Sequence, residues 1–182
     1  MAKKKVKRKK KSKRKAVAPA DTMASRADRY ELYLQSVQAP DVDVKFFQRV
    51  YKSNFKSPAQ VLREDFCGTA AVCCEWVGKR GEREAYGVDL DPEPLEWGQR
   101  YNLPLVVDGR QDAVHFVEGD VRTAKTPAAD VITAQNFSYC CFKTRDELRE
   151  YFKVAHSNLS EQGVFILDLF GGYESIEDDR ED

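Results

Sequence analysis

The sequence predicts a three-layer α/β fold in which helices cover both faces of a parallel five-stranded sheet. Two observations predict it. Short apolar segments alternate along the chain with segments of helical periodicity. The short segments are apolar throughout rather than alternating, which is typical of strands buried on both faces. The chain has 182 residues, which is room for one ordinary domain.

The charge of the chain is divided between two regions. Residues 1–15 carry eleven basic side chains and no acid, so the rest carries 19 basic and 30 acidic side chains. Dense like charges repel one another, and this segment has little to bury, which predicts a disordered Lys/Arg-rich arm. Three hypotheses remain for the arm: sequence-blind contact of residues 3–15 with RNA or ribosomes, a nuclear signal, or a solubilising extension.

Four regions are predicted from composition and periodicity. They are the arm, the N-terminal helices, the sheet with its helices, and an acidic terminus: 1–23, 24–58, 59–172 and 173–182.

The first helical region contains two predicted helices. Residues 25–38 place Tyr30 and Tyr33 on one apolar face at helical spacing, which favours a place in the core. A second helix follows Pro40, where apolar residues again repeat at helical spacing.

The strands and helices of the sheet region follow in alternation. The predicted strands are Ala59–Leu62, 84–88, 114–117, 130–134 and 163–169. The predicted helices are 69–78, Pro92 to about Asn102, and Arg145 to about Leu159.

Polar residues follow these strands at the edge where parallel sheets bind ligands. Gly68 follows the first strand, and a glycine there lets the backbone approach a ligand closely. Asp89 ends the second strand 21 residues later, where a carboxylate can accept both hydroxyls of a ribose. Asp120 follows the third strand, where it can accept a hydrogen bond from an exocyclic amine.

The glycine content of the first loop distinguishes two cofactor classes. A dinucleotide enzyme needs the three glycines of G-x-G-x-x-G, and this loop has only Gly68. Glu64 and Asp65 lie close by and would repel a pyrophosphate. This disfavours a nucleotide-dependent oxidoreductase. A ligand with a cationic amino group and no phosphate fits better, and S-adenosylmethionine has both properties.

Four segments together resemble the successive motifs of class I S-adenosylmethionine-dependent methyltransferases. They are residues 61–70, 86–89, 118–120 and 163–168, in the family's order and spacing over about residues 59–170. The resemblance implies a Rossmann-like sheet of order 3-2-1-4-5. The family's sheet has seven strands with an antiparallel hairpin after the fifth. Because only five are found, the sheet is predicted to stop before strands 6 and 7.

The resemblance also implies a cofactor site. Its expected members are Glu64, Asp65, Phe66, Cys67, Gly68, Thr69, Asp89, Leu90, Gly119, Asp120, Val121 and Gln135. Asp89 is expected on the cofactor's ribose and Asp120 near its adenine amine, with Val121 beside the ring. Ala70 stands where the family has its last glycine, which tightens the turn. Arg63 either reaches the cofactor's carboxylate or pairs with Glu64.

The predicted function is methyl transfer from S-adenosylmethionine to an unidentified acceptor by in-line displacement. Asn136 and Tyr139 are expected on the substrate side. No catalytic base is assigned, because one is needed only when the acceptor must lose a proton early. The acceptor class stays open between small molecule, protein and RNA. The alternative is a non-catalytic module of the same fold that contacts RNA or ribosomes through its arm.

Cysteine spacing and hydropathy bear on metal sites and location. The five cysteines include no C-x-x-C pair, which disfavours a disulfide framework and a zinc site. His115 and His156 are expected to be structural or surface residues. Reduced thiols favour a cytoplasmic location, or a nuclear one in a eukaryote. No segment reaches the roughly 18 consecutive apolar residues of a membrane helix, so no membrane partner is expected.

Overall fold

The computed structural model describes residues 22–78, 81–107, 109–169 and 171–172. Nearly all of the predicted basic arm and the whole predicted acidic terminus lie outside these residues. The hypotheses about nucleic-acid contact by the arm therefore stay predictions.

One sheet of five parallel strands forms the centre of the fold, in the order β3-β2-β1-β4-β5. The strands are β1 Val61–Asp65, β2 Glu84–Asp89, β3 Val114–Glu118, β4 Ala129–Ala134 and β5 Leu159–Leu167. This confirms the predicted fold class and strand order. Within the described ranges, no further strand pairs with the outer edge of β3 or β5.

Six α-helices accompany the sheet in the described residues. They are α1 Met23–Arg26, α2 Arg29–Ser36, α3 Pro40–Phe55, α4 Ala71–Val77, α5 Pro92–Tyr101 and α6 Arg145–Ser157. Three single turns of 3₁₀-helix lie at Leu103–Leu105, Gln111–Ala113 and Ser138–Cys141. None of these helices is long and apolar enough to cross a membrane.

The predicted helix 25–38 is divided in two. Asp28 caps the N-terminus of α2, where its Oδ1 accepts hydrogen bonds from the backbone N–H groups of Tyr30 and Glu31. Ala27 is extended, which separates α1 from α2. The break arises because an aspartate cap satisfies N–H groups that a continuous helix would bond internally.

Apolar clusters lie on both faces of the sheet. One joins Phe47 of α3 and Trp76 of α4 to Leu62 of β1. The other joins Tyr151 of α6 to Val88 of β2, and Phe165 of β5 packs against it. Strand side chains alternate between faces, so α3, α4 and α6 cover the two sides and make the three predicted layers.

Strand β1 extends further than predicted. Glu64 and Asp65, expected to follow the strand, are its last two residues and are 3% and 1% exposed. They face opposite sides of the sheet: Glu64 accepts hydrogen bonds from Cys73 of α4, and Asp65 accepts one from Tyr151 of α6. Charged residues are buried in this central strand because each has a partner.

Candidate functional site

Two cavities lie side by side at the carboxyl ends of the strands. The Gly68 cavity, about 500 Å³, lies between the loop after β1, helix α2 and the loop after β4. The Asp120 cavity, about 430 Å³, lies between the ends of β2 and β3 and the start of α6. Phe66, directly after β1, lines both cavities, and the two cavities are together called the trough.

The loop after β1 has an unusual backbone. Phe66, Gly68 and Ala70 have φ angles of 60°, 54° and 54°, in the left-handed region. This region costs a residue with a side chain about 1 kcal/mol or more. Such strain is typical of ligand sites, where the surrounding structure maintains it. At Gly68 an added Cβ would meet no atom within 4 Å, so the cavity reaches the bare backbone.

Neighbouring elements hold this loop in place. Asn102 Nδ2 donates to the Thr69 carbonyl at 2.9 Å, and a Cβ on Gly98 would collide with that same carbonyl. A Cβ on Gly87 would lie 2.9 Å from Cys67 Sγ. Gly87, Gly98 and Asn102 were not predicted as parts of this site, although glycines inside a strand and a helix indicate close packing.

Asp89 connects the two cavities. Its Oδ2 accepts the Gly68 N–H at 2.7 Å, and its Oδ1 accepts the Asp91 N–H at 3.0 Å. Each carboxylate oxygen can accept a second hydrogen bond. Asp89 is therefore oriented by the loop and still able to bind two further donors. Leu90 beside it is 70% exposed on the wall of the Asp120 cavity.

Asp120 is held by an arginine that sequence analysis did not single out. Arg122 Nη2 donates to Asp120 Oδ2 at 2.6 Å, and this bonding keeps the pKa of Asp120 below its usual value. The guanidinium carbon of Arg122 lies 5.0 Å from the ring centroid of Phe142. Gly119 and Val121 line the same cavity, and Val121 is buried. The sequence Asp-x-Arg directly after a strand was the pattern from which this pairing could have been predicted.

The carboxylates of Glu64 and Asp65 lie beneath the trough and line neither cavity. Burial raises the pKa of Glu64 to about 7, although Cys73 donates to it through N–H and Sγ. Arg63 Nε donates to Asp65 Oδ1 at 2.7 Å, so the expected pairing of Arg63 with Glu64 is wrong. Both carboxylates support the trough from below instead of reaching a ligand.

Arg63 also supports the trough. Its Nη2 donates to the Val121 carbonyl at 2.6 Å and its Nη1 to Thr126 Oγ1 at 3.2 Å. Its side chain is fully buried and so does not reach a cofactor carboxylate.

The loop after β4 separates the expected substrate residues. Asn136 lines the Gly68 cavity, and its backbone N–H donates to Asp168 Oδ2 at 2.7 Å. Tyr139 is buried and lines neither cavity, because its hydroxyl donates to the Asp168 carbonyl at 2.7 Å. Gln135, which was expected in the cofactor site, also lines neither cavity and donates to Thr133 Oγ1. Ser138 lines the cavity instead.

Helix α2 forms the outer wall of the Gly68 cavity. Tyr30 and Tyr33 both line it, and Tyr33 is 41% exposed, so the interpretation of this pair as core is wrong for Tyr33. Asp28 Oδ2 accepts the Trp97 Nε1–H at 2.7 Å, and Arg29 pairs with Glu93 at 2.6 Å. These contacts fasten α2 to α5 across the trough.

Comparison with solved structures shows which known proteins have a similar architecture. The chain is similar in structure to an S-adenosylmethionine-bound aminopentose methyltransferase from Micromonospora echinaspora, with a TM-score of 0.64 and 21% identity over 81% of this chain and 58% of that chain. The chain is also similar to a sugar N-methyltransferase from Streptoalloteichus sp., with a TM-score of 0.67 and 16% identity over 93% of this chain and 63% of that chain. A third similar structure is an S-adenosylmethionine-dependent methyltransferase from Clostridium acetobutylicum, with a TM-score of 0.63 and 20% identity over 80% of this chain and 57% of that chain. The chain has the methyltransferase fold.

The likeness to these methyltransferases has limits of extent and identity. The chain spans about three fifths of the length of each of the three structures. No protein-family model matches the chain, and no curated protein sequence does either. In the described part of the chain, no group of three or more His, Cys, Asp or Glu side chains is arranged to hold a metal ion.

Proposed function

We propose that the trough binds S-adenosylmethionine and that the chain transfers its methyl group to an acceptor entering the Gly68 cavity. The observation that carries the proposal is the hydrogen bond from the Gly68 N–H to Asp89 Oδ2. A carboxylate with free acceptor capacity is fixed to a bare, left-handed glycine that faces an open cavity. This combination suits a ligand in which a ribose is joined to an extended group that can lie against the backbone of Gly68.

The residues present fit the parts of this cofactor. Asp89 would accept the ribose hydroxyls, and the adenine would lie beside Asp120, with Leu90 and Val121 on the faces of the ring. The methionine part would lie over Gly68, under the tyrosines of α2. Such a ligand needs no phosphate site.

The charge of the trough argues against a dinucleotide. Asp89, Asp91 and Asp120 line the cavities. The basic side chains on the described walls, Arg29 and Arg122, are already paired with acids. A pyrophosphate would therefore meet repulsion and lack a free basic partner.

The bound cofactor supplies an electrophilic methyl group on a sulfonium. The chain's own residues have three tasks: to hold the reactants in line, to fix their separation and to exclude water. The Asp28–Trp97 and Arg29–Glu93 contacts keep α2 over the reacting region. Asn136, held by Asp168, lines the side from which an acceptor would approach.

Calorimetry with S-adenosylhomocysteine tests the cofactor proposal. Leu90→Asp should weaken binding at least about tenfold, because it puts a charge against the adenine. Leu105→Asp is the matched control: Leu105 is 81% exposed, lines neither cavity of the trough, and should leave the affinity unchanged. Asp89→Ala should abolish binding. Tight NAD binding with no response to S-adenosylhomocysteine would contradict the proposal.

The acceptor is the open part of the reaction. Two of the structures compared are, by their names, methyltransferases of an aminopentose and of a sugar nitrogen. They support a small-molecule acceptor. We also propose a cytoplasmic location, because all five cysteines are free thiols.

A further inference from the structure

Asp120 and Asp89 differ in how much of their hydrogen-bonding capacity is already used. A carboxylate has about four lone-pair sites that accept hydrogen bonds. Arg122 makes four contacts with Asp120: its backbone N–H bonds Oδ1 at 2.8 Å, its Nε lies 3.0 and 3.2 Å from the two oxygens, and its Nη2 bonds Oδ2 at 2.6 Å. Asp89 accepts only the two bonds from Gly68 and Asp91. Asp89 can therefore accept donors from a ligand, whereas Asp120 is saturated.

Arg122 keeps hydrogen-bond donors that Asp120 does not use. An arginine side chain has five N–H groups. The bonds to Asp120 use the N–H of Nε and one of the two on Nη2, which leaves three. Nη1 lies 3.8 Å from Glu150 Oε2, too far for a hydrogen bond, and bonds nothing else in the described ranges. Arg122 therefore offers donors although Asp120 neutralises its charge.

The guanidinium group has a fixed place on the wall of the Asp120 cavity. Arg122 and Phe142 both line this cavity, and the guanidinium carbon lies 5.0 Å from the centroid of the Phe142 ring. The Arg122 side chain is 29% exposed, so a ligand can reach it. A planar group held by a carboxylate and an aromatic ring is already oriented before a ligand binds, which lowers the entropy cost of binding.

The third carboxylate on this wall has a structural task. Glu147 lines the cavity with Asp89 and Asp120. Its Oε2 accepts three hydrogen bonds at the start of α6, from the Lys143 N–H and from the N–H and hydroxyl of Thr144. Glu147 therefore belongs to the cap of α6.

This arrangement bears on how a purine base is recognised. Adenine has an amine donor at the ring position where hypoxanthine has a carbonyl acceptor, and both bases have ring nitrogens that accept hydrogen bonds. A carboxylate with free oxygens binds the amine and repels the carbonyl, whereas a guanidinium binds acceptor atoms. With Asp120 saturated and Arg122 offering donors, the wall favours acceptor atoms of the base over its amine.

We propose that Arg122 determines which base the Asp120 cavity accepts, by occupying the oxygens of Asp120 and donating to an acceptor atom of the base. This inference rests on the proposed function and deepens it. In place of the expected bond between Asp120 and the adenine amine, the base is held through a ring nitrogen. The cavity then tolerates a purine with a carbonyl in place of the amine.

Calorimetry with two probes on the full chain tests this role. S-adenosylhomocysteine and S-inosylhomocysteine differ only in the base, which is adenine in the first and hypoxanthine in the second. Wild-type protein should bind S-inosylhomocysteine no more than about threefold more weakly than S-adenosylhomocysteine. A larger preference for S-adenosylhomocysteine would show that the amine has an acceptor and would overturn the proposal.

Removing the guanidinium should create a preference for adenine. Arg122→Ala frees the oxygens of Asp120 for the amine, so this variant should bind S-adenosylhomocysteine at least about tenfold more tightly than S-inosylhomocysteine. An unchanged ratio would contradict the proposal, and a general loss of stability does not imitate a changed ratio. Arg149→Ala is the matched control. Arg149 also bonds an aspartate at 2.6 Å, Asp146, but lines neither cavity of the trough, and its removal should leave the ratio unchanged.

The outcomes separate this role from the proposed function. If wild-type protein binds neither probe, the proposed function fails and the role of Arg122 fails with it. If wild-type protein binds S-adenosylhomocysteine and rejects S-inosylhomocysteine, the proposed function holds and the role of Arg122 alone is wrong. A preference for adenine that Glu147→Gln removes would assign the amine to Glu147 and would also overturn the role of Arg122.

Discussion

Replacing Gly68 by alanine tests where the cofactor lies. Gly68 has a φ of 54°, and its missing side chain would point into open space. Gly68→Ala therefore has two separate effects. The left-handed backbone costs alanine about 1 kcal/mol, which lowers Tm by about 2–4 °C in a chain of this size. The new methyl group also occupies cavity space against the backbone, where the cofactor would lie.

Gly109 provides the matched control. It has a φ of 79°, an added Cβ would again meet no atom within 4 Å, and it lines neither cavity of the trough. Gly109→Ala should therefore lose the same stability as Gly68→Ala. Any difference between the two variants in ligand binding reports the position of Gly68 and not the strain of its backbone.

A thermal-shift assay with S-adenosylhomocysteine separates the effects. Ligand at about a hundred times its Kd adds about 2.7 kcal/mol, which raises Tm by roughly 5–10 °C. Wild-type protein and Gly109→Ala should show this rise, whereas Gly68→Ala should show almost none. If Gly68→Ala responds as wild type does, the cofactor does not lie over Gly68, and the reasoning from the open backbone is refuted.

Three further variants test the support beneath the trough. The pKa of Glu64 in the folded protein, about 7, exceeds its ordinary value of 4.5, so the stability that its proton contributes is complete below pH 4.5 and is lost as pH rises through 7. Urea unfolding of Glu64→Gln should be less pH-dependent than wild type by roughly 3 kcal/mol between pH 4 and 8, and equal slopes would contradict the burial argument. Asp65→Asn should cost about 3–5 kcal/mol because Arg63 stays buried without its counter-charge, and a loss below 1 kcal/mol in the same assay would count against that pairing. Gly98→Ala should abolish S-adenosylhomocysteine binding by displacing the Thr69 carbonyl, as calorimetry would show, and unchanged affinity would mean that the loop adapts.

The sequence was sufficient for the sheet because each strand carries its own signal. Apolar runs such as the one at β4 are buried on both faces, and the order 3-2-1-4-5 was implied by the resemblance of the successive motifs to class I methyltransferases. The placing of Asp89 and Gly68 together at one edge was also predictable, because parallel strands end on the same side. These features depend on local pattern and on topology alone.

What the sequence did not predict depends on contacts between distant residues. Arg63 bonds the Val121 carbonyl 58 residues away, and Asp65 bonds Tyr151 86 residues away. No local pattern distinguishes such a buried pair from a charged loop. The spacing of residues could not decide whether α2 forms a wall of the cavity, for a related reason. A tyrosine at helical spacing has the same pattern whether it faces a core or a cavity, and here Tyr33 faces the cavity.

The alternation of β1 explains why its charged residues serve both cavities at once. Glu64 faces α4 and holds Cys73 near the start of that helix, below the glycine loop of the first cavity. Arg63, one position earlier, faces the other side and holds the Val121 carbonyl at the floor of the second. Asp65 neutralises Arg63. Because neighbouring residues of one strand fix both floors, a change of register in β1 would displace both cavities together. We therefore expect stability and cofactor affinity to fall together in variants of Arg63 and Asp65, whereas Leu90→Asp should lower affinity alone.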